Sequence, residues 1–336
     1  MTTPLDVSPS AEVADPEAVA NIPGEQIVGR SLGQIAWMRL KRDRTALVSA
    51  GIIVFLLLVA VFAPLITKIS GFGPNEFNND LLDGATTAPL GDFGGINTDH
   101  WFGVEPVTGR DVFARIVYGA RVSLLIAVAA TLLSVVIGVV FGVMAGYFGG
   151  WIDSAISRVM DVLLAFPLLL FAIALVGIEV DERVAALPLV DSNSARKVLL
   201  VLIIGFFSWP YIGRIVRGQT LSLREREFVE AARALGASSS HILFKQLLPN
   251  LAAPILVYAT LIIPTNILFE AALSYLGVGI KSPDSSWGEM ISRSVPFALA
   301  DPYYIAAPGI ALVVTVLAFN LLGDGLRDAL DPRGNR

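Results

Sequence analysis

Six stretches of apolar residues, 45–66, 119–147, 157–178, 197–217, 251–280 and 303–323, constrain this chain more than any other feature. A helix rises about 1.5 Å per residue and a bilayer's hydrocarbon layer is about 30 Å thick, so each run is long enough to cross a membrane. The whole-chain balance agrees. It is 54% hydrophobic and 16% charged, where a soluble domain carries about 45–50% apolar and about 25% charged residues. The pattern predicts an all-α polytopic membrane protein with six transmembrane helices. The first run starts at position 45 and exceeds the 7–15 residue core typical of a signal peptide, which makes it an anchor. With no cysteine the chain has no disulfide, thiolate-metal or cysteine-nucleophile chemistry, and a net charge of −5 argues against a nucleic-acid partner.

The segments between the runs give a domain plan. Residues 1–28, with Pro4, Pro9, Pro16 and Pro23 and no aromatic residue, read as a disordered tail. Residues 29–44 interleave Leu32, Ile35, Ala36 and Leu40 with Arg39, Lys41, Arg42 and Arg44, as an interfacial helix does. The loop 67–118, rich in Gly, Asn, Asp and Pro, is too long for a bare connector and predicts a small cap. The remaining runs form a five-helix core, 119–323, interrupted by a polar loop at 224–249 and followed by a tail, 324–336. Placing the N-terminus inside puts fifteen of the twenty-four Lys and Arg residues on the inner side, so both termini and loop 224–249 are expected to be cytoplasmic and the cap extracytoplasmic.

Three features inside the runs carry expectations of their own. Gly138, Gly142 and Gly146 repeat every four residues, placing bare backbone along one helix face and predicting a close helix contact, with a subunit interface as one candidate. Pro64, Pro167, Pro210, Pro254, Pro264 and Pro308 predict broken helices facing one another in a bundle that bends. Glu270 lies in the fifth run, where an acid is costly. It is either a residue of a translocation path or a structural acceptor for an Arg or a backbone amide.

The polar loop is the most informative stretch. From Arg224 to Leu235 it reads as a short amphipathic helix, with Phe228, Ala231, Ala232 and Leu235 on one face opposite Arg224, Glu227 and Arg233. Gly236 suits a left-handed helix end, Ser238 to Ser240 can cap a second helix, and Pro249 is expected to help close it. Two small helices joined at a glycine make an elbow. Its alanines allow close docking, with Glu230 and Arg233 at the rim.

Glu230, Ala231, Ala232, Gly236, Leu248 and Pro249 at this spacing resemble the EAA loop of ATP-binding-cassette (ABC) importer permeases. Further stretches resemble the dipeptide/oligopeptide/nickel group, closest to the C-type subunit of the dipeptide pair: Gly109 to Arg115, Tyr118 to Leu124, Leu164 to Pro167, Glu270 to Gly277, Ser286 to Gly288, and Leu317 to Asp328. Gln246 stands where the family has an aliphatic residue, and Gly103-Val104-Glu105 stands where it has Gly-Thr-Asp, with one more residue before Gly109.

The resemblance implies a permease subunit in a bacterial cytoplasmic (inner) membrane, forming half of a pathway with a second homologous permease subunit. It also implies one or two ABC ATPases gripping Glu230, Ala231, Ala232, Arg233, Gly236, Leu248 and Pro249, and an extracytoplasmic solute-binding protein delivering a di- or oligopeptide. Nickel or another small solute is the alternative cargo, and an ion-coupled transporter or a membrane scaffold the alternative class. No phosphate loop of the form Gly-x-x-x-x-Gly-Lys-Ser/Thr is present, so ATP and Mg are expected on the partner ATPases, with no cofactor, metal or catalytic residue in this chain.

Overall fold

A computed structural model describes residues 32–177 and 192–330. The tail predicted at 1–28 lies outside the described residues, as do 178–191 and 331–336. The described chain is helical, with two isolated β-bridges in the cap, Leu82 with Pro89 and Val104 with Asp111.

Helix α1 spans Leu32–Leu40 and α2 spans Arg44–Val61, where the Asp43 carboxylate accepts from the Thr45 and Ala46 amides and caps the first turn. The chain bends at Phe62, and α3, Ala63–Ser70, carries Pro64 in its first turn, so the run predicted at 45–66 is two helices. Helix α4, Val112–Phe148, is capped by Asp111 through the Ala114 amide at 2.6 Å. It starts seven residues before the predicted 119, which shortens the cap loop.

The third run is broken. Helices α5, Gly150–Ala165, and α6, Leu168–Gly177, meet at a 78° bend. Pro167 excludes the helical region for the residue before it, and Phe166 is extended at φ −80°, ψ 128°. Helix α7 spans Ser192–Leu223 and contains Pro210; α8 spans Glu227–Ala234. Helix α9, Leu248–Tyr275, contains Pro254 and Pro264, and ends before Gly277 at φ 79° rather than at 280. After the short α10, Trp287–Ser294, helix α11 runs Pro302–Leu330 around Pro308, well into the stretch predicted as a tail.

The expectation that prolines break most runs is thus corrected. Pro210, Pro254, Pro264 and Pro308 sit inside continuous helices, and only Pro167 coincides with a sharp break. Among the described residues five helices are long and apolar enough to cross a membrane, or six with α5 and α6 taken as one bent span.

Helices α4 and α7 run parallel from the cap end of the bundle to the elbow end, and their contact is the spine of the molecule. A Cβ at Gly138 would lie 2.9 Å from Ile212, at Gly142 2.7 Å from the Gly213 carbonyl, and at Gly146 2.6 Å from Thr220. Gly205 returns the approach from α7, where a Cβ would lie 2.9 Å from the Ala130 carbonyl. The glycine face therefore packs within the chain. Residues Ile126, Ala130, Leu200, Ile203 and Ile204 continue the same seam toward the cap. At the elbow end, Gly325 of α11 abuts Asp43 and Ala46, so the described N- and C-terminal helices finish on one side.

The seam sets a steric prediction. Gly142→Ala should lower stability by about 1–3 kcal/mol because the new methyl meets rigid backbone. Gly51→Ala, where nothing lies within 4 Å, should cost nothing. Thermal unfolding of the two variants in the same detergent checks the difference.

Candidate functional site

The elbow begins where α7 ends. After Leu223 the chain turns into α8, whose first turn carries Glu227 and Glu230 and whose last carries Arg233, each favourable to the helix dipole. The helix stops at Gly236, φ +78°, with the Gly236 amide donating to Arg233 and the Ala237 amide to Ala232. Ser238 accepts from the His241 amide and starts the second arm.

That second arm departs from expectation. It is not a separate helix: Ser239–His241 passes through a π-helical turn, Ile242–Leu247, directly into α9. Pro249 follows the π-helical turn directly, inside a helix that runs on from Ser239, so it does not close a short helix. Leu248 starts α9 and is half-buried.

The face of α8 turned to the body is also different from the predicted one. Val229, not singled out by the sequence, is fully buried against Ile212, Val216, Ile242, Leu247 and Leu251, and Ala232 packs beside it. Phe228, Glu230, Ala231, Arg233 and Gly236 are exposed, and Leu235 is 87% exposed. The elbow thus has one face fixed in the core and one apolar face open.

Polar anchors hold it in place. The Arg224 guanidinium donates to the Gly146 carbonyl at 3.0 Å, and Arg233 lies over the Tyr147 ring at 5.6 Å. Next to them Asp153 of α5 takes a two-pronged bond from Arg217, with Nη2 to Oδ2 at 2.7 Å, and Asp161 pairs with Arg214.

Glu270 is fully buried in α9. Its carboxyl accepts from the Ser274 hydroxyl at 2.7 Å and the Ser123 hydroxyl at 2.8 Å. These donors are hydroxyls rather than the Arg or backbone amide envisaged from sequence. The Ser123 oxygen in turn accepts from the Trp287 amide, and one helical turn away Asn266 bridges Thr131 of α4 and Ser208 of α7. This polar ladder ties α9 to both helices of the spine.

A second buried network holds the cap. Arg115 of α4 is wholly enclosed, with Glu105 at 2.6 Å and Glu289 of α10 at 2.8 Å; Glu105 also receives Arg110, Thr108 and the Tyr304 hydroxyl. Burial works to raise the Glu105 pKa, but Arg115 and Arg110 hold it below the ordinary carboxylate range; at Glu289 burial wins over Arg115 and the pKa is raised. His100 is buried with Nδ1 2.8 Å from Asp111, the α4 cap. The sequence reading gave none of these a role, although Glu105, Arg110 and Arg115 recur every five residues.

Helix α10 wedges between α4 and α9. Ser286 caps it, the Trp287 indole N–H donates to the Ile116 carbonyl, and a Cβ at Gly288 would lie 2.5 Å from the Ala271 carbonyl.

Residues 138–336 match the family of binding-protein-dependent transport system inner membrane components, and residues 31–84 match the N-terminal transmembrane domain of oligopeptide transport permease C. The dipeptide transport system permease protein DppC of Alkalihalophilus pseudofirmus is 40% identical over 95% of both chains. The oligopeptide transport system permease protein OppC of Escherichia coli is 39% identical over 92% of this chain and 93% of its own. The glutathione transport system permease protein GsiD of Salmonella paratyphi A is 43% identical over 88% and 89%. A solved chain of the inward-facing MetNI methionine ABC transporter shares the fold at a TM-score of 0.50, with 20% identity over 65% of this chain and 97% of its own.

Arg115→Met removes the cation shared by two buried carboxylates and should lower stability by about 3–5 kcal/mol. Arg214→Met breaks a half-exposed pair and should cost at most about 1 kcal/mol. Thermal unfolding, with proteolysis of the 72–110 loop as a local readout, separates the two.

Proposed function

The chain belongs to the inner-membrane components of binding-protein-dependent transport systems, and from that membership we propose that it is half of a peptide-import pathway driven by cytosolic ATPases. The observation that carries the reading is the elbow: a short helix fixed by Val229 on one face and open on the other through Phe228, Ala231 and Leu235. A lipid-facing helix would carry a basic excess; α8 carries two acids and one base. Its exposed apolar face and mixed rim suit a protein groove.

In this reading ATP and Mg are bound by the ATPases, whose contacts with Glu230, Ala231, Arg233 and Gly236 change with nucleotide. They can shift the bundle only if they grip its two states with different strength. The elbow end, with both described terminal helices, is then cytoplasmic, and the cap receives the solute-binding protein. A second homologous permease completes the pathway. Di- or oligopeptides are the cargo that the named relatives favour, and the elbow has no use in an ion-coupled transporter.

Glu270 serves here as an internal tie between α9 and α4. Glu270→Gln keeps an acceptor for the serines and should leave uptake and substrate preference unchanged.

Gly236→Pro cannot adopt φ +78°. In the reconstituted complex it should lower peptide-stimulated ATP hydrolysis at least about tenfold, a loss of about 1.4 kcal/mol or more in coupling, with membrane insertion intact. Full coupling in that variant would count against the elbow as the ATPase contact.

A further inference from the structure

Cations at the cap end run against the positive-inside tendency, which raises the question of what holds each one. Nearly all the described ones are engaged within the chain. Arg110 and Arg115 hold Glu105, Arg293 lies 3.7 Å from Glu289, Lys197 holds Asp284 at 2.6 Å, and Arg196 donates to the Gly279 carbonyl at 3.2 Å. Lys68 and Arg121 differ: both are exposed with no hydrogen-bond or ion-pair partner among the described residues, and of the two Arg121, on α4, lines a cleft.

Arg121 lines a cleft of about 310 Å³ together with Asn75, Tyr118, Lys197, Asp284 and Ser285. Two cations face one acid there, and that acid is already committed to Lys197. Three residues before Asp284, burial above all and then the charge of Arg196 push the Lys281 ammonium pKa below its ordinary value. Of the exposed acids of the cap, Glu76 directly follows the lining residue Asn75, while Asp80, Asp92 and Asp99 are not among the lining residues. The Arg121 guanidinium and Lys197 ammonium together attract a carboxylate that reaches the cleft.

A guanidinium offers paired N–H donors in a plane that matches a carboxylate. We infer that the Arg121 cleft receives the terminal carboxylate of the peptide cargo at the entrance to the pathway, with Arg121 as the fork and Lys197 as the flanking charge. This rests on the peptide-import reading above. A lipid phosphate is the other oxyanion available at this depth, and the test distinguishes it.

The experiment uses the whole complex in proteoliposomes, with the binding protein loaded to equal occupancy with a labelled peptide or its C-terminal amide. Because Arg121 is exposed and unpartnered, Arg121→Gln leaves folding intact. It should reduce uptake of the free acid about tenfold, spare the amide, and do so equally in phosphatidylcholine with or without phosphatidylglycerol; Arg121→Lys, which keeps the charge but loses the fork, should restore only part of the loss. Unchanged uptake, equal loss of acid and amide, or a loss confined to phosphatidylglycerol vesicles would each overturn the inference. Absence of any peptide uptake by the unsubstituted complex would instead remove the reading on which it rests.

Discussion

The contact between α4 and α7 is the constraint from which the rest of the fold follows. In hydrocarbon no water is expelled when two helices meet, so close packing must supply the attraction. Gly138, Gly142 and Gly146 supply it by bringing the α4 backbone onto α7, with Gly205 answering from the other side. The two helices run parallel, so the chain between them must cross the bundle and return. That is the task of the bent pair α5 and α6, and Arg217 with Asp153 and Arg214 with Asp161 hold α5 against the spine.

Burying polar groups in such surroundings is costly without partners, and the molecule concentrates its buried pairing in two places. Asn266 and Glu270 lie four residues apart on α9, so both point toward the spine, where Thr131, Ser208 and Ser123 meet them. At the cap end Arg115 takes two carboxylates, one from the loop before it and one from α10 far along the chain. The cap is therefore keyed to the segment between α9 and α11 by charge rather than by apolar burial. Charges paired with poor geometry would destabilise; here Tyr304 and Thr108 fill the remaining acceptor positions of Glu105.

What the sequence made legible follows the reach of each signal. Apolar length is a local property, and four of six runs stand as single long helices, most of them extending past the apolar run because helix length is set by caps such as Asp111 rather than by hydrocarbon thickness. The glycine repeat reported a close approach but not its partner, which lies some seventy residues away. Proline was misleading because a membrane helix accepts it when neighbours enclose the freed carbonyl; the runs divide only at Pro64 and, sharply, at Pro167. At the elbow, periodicity identified an amphipathic helix yet chose the wrong inward residue. Val229 is buried because the body lies on that side, and no pattern within eight residues carries that information.

The continuity of the elbow with α9 bears on how such a molecule could be moved. Two hinged helices would dissipate a push applied at α8. Here the second arm enters α9 through one π-helical turn without a break, while Val229 locks α8 against Leu247 and Leu251. Displacing the open face of the elbow therefore displaces the foot of α9. Along α9, Asn266 and Glu270 are bonded to α4 and α7, and past its end Gly288 of α10 rests on Ala271. Contacts thus run unbroken from the elbow along α9 to the wedge that carries Glu289 and, through Arg115, to the cap. Dense packing of this kind transmits discrete rearrangements better than gradual bending, which favours a gate that switches between two arrangements as a body over one that flexes at its prolines.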